Sequence, residues 1–78
     1  MGAALTDATI TRCDLTGINF READLQNCDL TSSRLNCAIM TGANVDYASF
    51  DYCDFTGATM NGMELRNASI KKATFSES

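Results

Sequence analysis

Histidine is absent from this 78-residue chain, and no two of its four cysteines are separated by only two residues. Zinc sites in proteins usually combine histidines with closely spaced cysteines, so a zinc site is not expected. The chain also lacks a nucleophile elbow, a glycine-rich phosphate loop and a recognisable pair of catalytic acid and base. We therefore predict a non-enzymatic protein with no catalytic residues, no cofactor and no metal ligands.

The chain also has no secretory signal pattern and no long apolar run. A helix that crosses a membrane needs about 20 consecutive apolar residues, and nothing of that length is present. These absences favour a cytoplasmic protein that does not enter the membrane.

A large apolar side chain occupies every fifth position from residue 5 to residue 75, without exception. Neither the helix period of 3.6 nor the strand period of 2 accounts for a period of five. The backbone must therefore turn once in every five residues. The series is Leu5, Ile10, Leu15, Phe20, Leu25, Leu30, Leu35, Met40, Val45, Phe50, Phe55, Met60, Leu65, Ile70 and Phe75.

The position two residues before each large residue holds a small side chain in thirteen of fifteen units. Nine of the ten alanines stand there, together with Cys13, Cys28, Ser33 and Cys53, and the bulky exceptions are Ile18 and Met63. If each unit forms one side of a square, four units close a coil of twenty residues. One large and one small side chain from each side can then share the interior at normal packing density.

The corners of such a square favour residues that tolerate a positive φ angle. The position two residues after the large one is the predicted corner. It holds Gly17, Asn27, Gly42, Gly57, Gly62 and Asn67.

These units resemble the pentapeptide repeat family, whose units read roughly Ala, Asp or Asn, Leu and two variable residues. Close matches are Ala23-Asp24-Leu25, Cys28-Asp29-Leu30, Cys13-Asp14-Leu15, Ala43-Asn44-Val45 and Cys53-Asp54-Phe55. The resemblance covers essentially the whole chain. It implies an all-β fold, a right-handed quadrilateral β-helix of about four coils, and a single domain over residues 1–78.

The twenty-residue coil separates the cysteines. Cys13 and Cys53 fall in one column two coils apart, or roughly 9.6 Å at the usual strand spacing, which is too far for a disulfide. Cys28 falls on another side, and Cys37 points outward or lies at a corner. We predict free thiols, three of them acting as small core residues.

No capping sequence precedes or follows the repeats, and open coil ends are templates for another chain. We therefore predict end-to-end stacking into a homodimer, with Met63 and Phe75 near the contact. The register also places Phe75 over Phe55, where the two rings can stack. The alternative is that the chain is a piece of a longer protein.

The family resemblance implies one possible function, DNA mimicry directed at a type II topoisomerase such as DNA gyrase. The net charge of −4 has the sign that a mimic needs. However, the register predicts cross-coil charge ladders that would neutralise the acidic faces. These ladders place Arg34 between Asp14 and Asp54, Arg66 next to Asp46, and Lys71 next to Asp51.

The other hypothesis is a structural scaffold or protein–protein interaction module that does not bind nucleic acid directly. The candidate patch contains Asp46, Tyr47, Asp51 and Tyr52, with Ile39 on a further side, because exposed tyrosine is enriched at binding surfaces. The alternative is that each tyrosine only covers a neighbouring coil, with Tyr52 against Lys72. We favour the interaction module over the mimic, with the partner protein unidentified.

Overall fold

The computed structural model describes residues 4–76, so residues 1–3 and 77–78 lie outside the following account. The residue before each large apolar position pairs in parallel with the residue twenty positions later, from Ala4↔Asp24 to Asp54↔Thr74. Each pairing is an isolated bridge one residue long, and residues 4–76 contain neither a helix nor a longer strand. The predicted twenty-residue register is therefore confirmed, and the fold is a β-helical solenoid.

All but one of the complete sides between residues 4 and 76 are held to the next coil by three regular hydrogen bonds, as the stacked sides 23–27 and 43–47 show. The Leu25 N–H donates to Asn44 O at 2.8 Å, and the Asn27 N–H donates to Asp46 O at 3.0 Å. In the opposite direction, the Asn44 N–H donates to Ala23 O at 2.9 Å. This ladder satisfies backbone groups that would otherwise be buried without partners.

Each corner is a type II turn, as the corner at Asn27 shows. The Cys28 N–H donates to Leu25 O at 3.1 Å, and Asn27 has a φ of 61°. Only the third residue of a type II turn has a positive φ, which matches the angles here. All fourteen corner positions from residue 7 to residue 72 share this conformation, and ten of them are not glycine. The predicted corner position is confirmed, including at residues that do not favour it.

The two inward columns form the core, and their side chains are most completely buried in the middle coils. The large residues from Phe20 to Phe55 are all buried, and so are the small ones from Ala23 to Ala58. Toward the ends, Leu5, Met60 and Met63 are only partly buried. The interior therefore follows the alternation of large and small side chains that the sequence predicts.

Three polar members of the small column, Cys28, Ser33 and Cys53, bond to the coil before them. Sγ of Cys28 donates to Leu5 O at 2.7 Å, and Sγ of Cys53 donates to Leu30 O at 2.8 Å. Both thiols are buried, and this burial raises the pKa of each cysteine above its usual value. All four cysteines are free, with Cys37 exposed at a corner, as predicted.

Aromatic rings reinforce one end of the core. The rings of Phe55 and Phe75 stack with centroids 5.0 Å apart and planes 3° from parallel. Phe50 meets Phe55 edge-on at 5.3 Å. The predicted Phe55 and Phe75 stack is therefore confirmed.

Candidate functional site

Two tyrosines project from consecutive corners of one side of the solenoid. Tyr47 and Tyr52 lie at the two ends of side 48–52, with φ angles of 60° and 61°. Their exposed fractions are 66% and 58%, the highest among the large apolar and aromatic residues that the structure describes. Rings this exposed offer contact area that the fold does not use. With Asp46 and Asp51, they form what we name the tyrosine patch.

The two carboxylates of the tyrosine patch differ in their contacts. Oδ1 of Asp51 accepts a hydrogen bond from the Ser69 hydroxyl at 2.6 Å and another from the Lys71 N–H at 2.9 Å. The Ser69 hydroxyl, followed by the Lys71 N–H, holds the pKa of Asp51 below its usual value. The side chain of Asp46 has no hydrogen-bond or ion-pair partner within residues 4–76. Asp46 is therefore the carboxylate of the patch that remains available to an external group.

The other predicted contact residues lie away from the tyrosine patch. Ile39 has an exposed fraction of 37% and occupies side 38–42, two sides from side 48–52. Met63 and Phe75 are both partly buried in the last units that the structure describes. Leu65 and Ile70, on the sides between them, are exposed. The structure thus places Asp46 and Tyr47 at one end of side 48–52 and Asp51 and Tyr52 at the other, and it leaves the end residues as a separate apolar surface.

The predicted cross-coil charge ladders are confirmed only in part. Arg34 lies in register between Asp14 and Asp54, and after their threonine hydrogen bonds its charge contributes to the lowered pKa of both carboxyls, although neither contact is an ion pair within residues 4–76. Arg66 pairs with Glu64 of its own side at 2.8 Å rather than with Asp46. Lys71 meets Asp51 through its backbone N–H, not through its ammonium group. Long, exposed basic side chains gain little from a surface ion pair, so register alone does not fix their partners.

Local hydrogen bonds occupy several aspartates instead. Oδ1 of Asp54 accepts from the Thr56 hydroxyl at 2.6 Å and from the Thr56 N–H at 3.0 Å. Asp14 makes the same pair of bonds to Thr16. These threonine bonds are the main cause that holds the pKa of both carboxyls below the usual value. Aspartate side chains readily accept a hydrogen bond from the backbone N–H two residues later. The five-residue period did not indicate this pattern.

A cleft of about 280 Å³ opens beside the tyrosine patch, between sides 43–47 and 63–67. It is mainly polar, and we name it the inter-coil cleft. Its lining residues are Gly42, Ala43, Asn44, Asp46, Gly62, Glu64 and Arg66. The Asp46 carboxylate therefore belongs to both the tyrosine patch and the cleft.

The hydrogen-bond ladder loosens along this cleft. The Asn44↔Glu64 bridge persists. The three ladder contacts of this side nevertheless lack regular hydrogen-bond geometry. They join Val45 N with Glu64 O, Glu64 N with Ala43 O, and Tyr47 N with Arg66 O. Every other complete side between residues 4 and 76 keeps its three bonds. The neighbouring side keeps all three of its bonds, including Phe50 N to Ser69 O at 2.7 Å. Sequence reasoning missed the cleft, and the bulky Met63 in the small column of side 63–67 is the one sequence feature that marks this side.

Within residues 4–76, no group of three or more acidic residues or cysteines is arranged to hold a metal ion. The same part of the chain contains no helix long and apolar enough to cross a membrane.

The repeating sides and left-handed corners define a solenoid of five-residue units, and comparison with known families gives the same answer. The family described as the pentapeptide repeat region matches residues 3–78. The chain therefore belongs to the pentapeptide repeat family, as its units predicted. A comparison with curated proteins finds no match.

Two solved structures of pentapeptide repeat proteins are similar to this chain. One is HetL from the cyanobacterium Nostoc sp. strain PCC 7120, involved in heterocyst differentiation regulation, at 20% identity and a TM-score of 0.39. The other is Rfr23 from the cyanobacterium Cyanothece 51142, at 22% identity and a TM-score of 0.27. The matches cover 91% and 92% of this chain, but only 48% and 59% of those proteins. The chain thus spans about half to three fifths of their length.

Proposed function

We propose that the chain is a non-enzymatic scaffold that acts in the cytoplasm as a protein–protein interaction module. Its framework is a right-handed quadrilateral β-helix of about four coils, forming one domain over residues 1–78. The observation that carries the proposal is the exposure of Tyr47 and Tyr52 at consecutive corners. Tyrosine brings a large, rigid contact area to an interface at a small cost in conformational entropy.

The tyrosine patch gives this proposal its geometry. Tyr47 and Tyr52 flank side 48–52, so a partner lying across that side would contact both rings. Asp51 is fixed there by Ser69 and Lys71, and its position is set before a partner arrives. Ordered polar groups between exposed aromatic rings are typical of protein contact surfaces.

Photo-crosslinking in cells that express the native gene tests the role of the patch. A benzophenone amino acid replaces Tyr47 or Tyr52, and the control replaces Arg12, an exposed residue at a corner of the same conformation. We expect positions 47 and 52 to capture one common protein that position 12 does not capture. Identical capture from all three positions, or none from 47 and 52, would contradict the interaction role.

End-to-end stacking into a homodimer is the second element of the proposal. Leu65 and Ile70 are exposed near the partly buried Met63 and Phe75, and together they form an apolar surface that another copy could cover. Analytical ultracentrifugation should show a dimer that Leu65→Glu dissociates. A stable monomer at high protein concentration would remove this element.

DNA mimicry directed at a type II topoisomerase is the second candidate function. One observation favours it: within residues 4–76 the Glu64 carboxylate is the only one in an ion pair at 4 Å or less. Duplex DNA carries about one charge per 1.7 Å of its axis, a density that a mimic must approach. A DNA gyrase supercoiling assay tests this function. Inhibition that survives moderate salt would support mimicry, and an inert protein would exclude it.

A further inference from the structure

The last coil that the structure describes ends in backbone groups without partners. On a regular side, the large residue and the corner residue donate their N–H groups to the following coil, and the small residue offers its carbonyl. On sides 58–62, 63–67 and 68–72, the equivalent groups form no hydrogen bond within residues 4–76. These three sides, which we name the C-terminal face, therefore present two donors and one acceptor each.

The first described coil ends in the opposite set of groups. On a regular side, the residue before the large one donates its N–H to the preceding coil. That residue and the one after the large residue also offer their carbonyls to the preceding coil. On sides 8–12, 13–17 and 18–22, these groups form no backbone hydrogen bond within residues 4–76. These three sides, which we name the N-terminal face, therefore present one donor and two acceptors each.

The donors and acceptors of the two faces match each other, but neither face matches itself. A C-terminal face on an N-terminal face pairs every donor with an acceptor, with three bonds to a side as in the interior of the solenoid. Two C-terminal faces would bring four donors to two acceptors for each pair of sides, so half of the donors would have no partner. Buried backbone donors without partners are strongly disfavoured. Backbone pairing therefore favours contact between unlike faces.

The two ends of the solenoid also carry opposite net charges. Residues 3–22 contain three acidic and two basic side chains, a net charge of −1. Residues 58–77 contain two acidic and three basic side chains, a net charge of +1. Contact between unlike ends brings opposite charges together, whereas contact between like ends opposes them. The charge distribution thus favours the same arrangement as the backbone groups.

We propose that the chain binds a second copy of itself head to tail, with the C-terminal face of one copy on the N-terminal face of the next. This inference deepens the end-to-end stacking of the proposed function, on which it rests, by specifying which faces meet. A contact between unlike faces leaves one face of each kind open at the ends of the dimer. Further copies can therefore add, and the assembly grows as a rod.

The rise of the solenoid sets the rotation between two stacked copies. Each coil rises by roughly 4.8 Å over its four sides, so each end is a spiral with one step rather than a flat surface. The two steps fit when side 8–12 of one copy lies over side 63–67 of the other, as the next coil of a continuous solenoid would. Side 13–17 then lies over side 68–72.

The apolar side chains of the two faces fit this register. Leu65 and Ile70 are exposed on the C-terminal face, and Ile10 and Leu15 are partly buried on the N-terminal face. In the stacked pair, Ile10 covers Leu65 and Leu15 covers Ile70. The contact therefore buries the two large residues that the last coil leaves exposed.

The two bulky residues of the small column fit the register as well. Ile18 of one copy meets Ala73 of the other, and Met63 meets Ala8. Each bulky side chain thus faces an alanine across the contact. An encounter between Ile18 and Met63 would overfill the small column, and this register avoids it.

Sedimentation velocity of two blocked variants tests the polarity of the contact. Ile10→Glu blocks the N-terminal face and Leu65→Glu blocks the C-terminal face, so each variant alone should self-associate at least roughly ten-fold more weakly than wild type. An equimolar mixture retains one intact face of each kind, and it should form a 1:1 dimer that adds no further copies. Wild type should instead grow beyond the dimer as its concentration rises.

The opposite results separate this inference from the proposed function. An Ile10→Glu protein that dimerises alone, or a wild-type dimer that never grows, would overturn the head-to-tail contact and leave the end-to-end homodimer in place. A wild type that stays monomeric at high concentration would overturn both. Neither result bears on the crosslinking test of the tyrosine patch.

Thr9→Pro blocks the N-terminal face without changing an interior side chain. The Thr9 N–H forms no hydrogen bond within residues 4–76, and proline at a sheet edge prevents the addition of a strand. Thr9→Pro should therefore associate as Ile10→Glu does while keeping the circular dichroism spectrum of wild type. A folded Thr9→Pro protein that associates as wild type does would overturn the proposal.

Ile39→Glu is the matched control for Leu65→Glu. The exposed fractions of Ile39 and Leu65 are 37% and 40%, but Ile39 points outward from a middle coil and lies on neither end face. The Ile39→Glu protein should therefore self-associate as wild type does. Loss of association in this control would overturn the assignment to the end faces.

Discussion

The hydroxyl of Ser33 connects two backbone groups of the coil before it, donating to Ile10 O at 2.7 Å and accepting from the Cys13 N–H at 3.2 Å. At this corner the direct turn bond from the Cys13 N–H to Ile10 O is not formed. The buried Ser33 hydroxyl takes the place of that bond, so a residue twenty positions later completes the turn.

Ser33→Ala should lower the free energy of unfolding by about 1 to 2 kcal/mol, because it leaves two polar backbone groups poorly satisfied. Ser33→Cys should cost less, since Cys28 and Cys53 make the equivalent bond at their own positions. Urea denaturation measures both changes. A Ser33→Ala protein as stable as wild type would show that the turn closes without the hydroxyl.

Gly57→Ala should destabilise the fold more than Gly17→Ala, although both glycines have a φ of 75°. Left-handed backbone costs a non-glycine residue about 1 to 2 kcal/mol at either position. At Gly57, the new Cβ would also lie 3.3 Å from Sγ of Cys37, whereas at Gly17 it would meet nothing within 4 Å. We expect an additional cost of about 1 kcal/mol at Gly57 from this crowding.

The double variant Gly57→Ala with Cys37→Ala provides the control. Removal of the Cys37 sulfur should abolish the additional cost and leave only the backbone term, as measured by a double-mutant cycle in urea. If the two glycine variants were equally stable, the contact with Cys37 would have no energetic weight.

The Asp54 carboxyl should make folding stability sensitive to acid. The Thr56 hydroxyl is the main cause that lowers the pKa of Asp54 below 3.8 in the folded chain. An unfolded aspartate has a pKa of about 3.9, so the stabilisation is fully present above that pH. It is then lost as the pH falls through the folded pKa.

Thr56→Val should raise the pKa of Asp54 toward its ordinary value, as measured by the pH dependence of the Asp54 carboxyl carbon shift. Thr59→Val is the matched control, because the Thr59 hydroxyl makes no hydrogen bond within residues 4–76. Asp54 should titrate as in wild type in that control. An unchanged pKa of Asp54 in Thr56→Val would contradict the assigned cause.

Met63→Ala should tighten the ladder along the inter-coil cleft. The Met63 N–H donates to Met60 O at 3.3 Å, longer than the 3.0 Å of the Ala43 turn in the coil before it and equal to the 3.3 Å of the Ala73 turn. A methionine in place of alanine overfills the small column beside the open glycine corner. We expect slower hydrogen exchange at the amides of Val45 and Tyr47 in the variant, by roughly ten-fold.

Exchange at Phe50 and Tyr52 is the internal control for this variant. Their ladder bonds of 2.7 Å and 2.8 Å are already formed in wild type. Unchanged exchange at Val45 together with an unchanged cleft would show that Met63 does not open it.

Ile18 shows why the cleft could not be read from the sequence alone. It is the other bulky residue in the small column, yet the side that contains it keeps its ladder bonds, including Ile39 N to Ile18 O at 2.9 Å. Bulk is therefore insufficient by itself. Gly62 above Gly42 supplies the second condition, because a glycine pair leaves the corner without side-chain packing.

The features that the sequence predicted are those fixed by the five-residue period. Register, inward columns, corners and the stacking of Phe75 on Phe55 all depend on which residues share a side, and the period determines that directly. The choice of Glu64 rather than Asp46 by Arg66 depends instead on side-chain conformations that differ little in energy. The period says nothing about those conformations.

The turn that closes every five residues has a consequence for insertions and deletions. Loss of one residue would turn both inward columns outward downstream of it, whereas loss of five would preserve the interior and rotate every later surface by a quarter circuit. A five-residue deletion before Asp46 would therefore move Asp51 and Tyr52 to the places of Asp46 and Tyr47. Chains of this type can vary their outer faces by gaining or losing whole units while keeping the same interior.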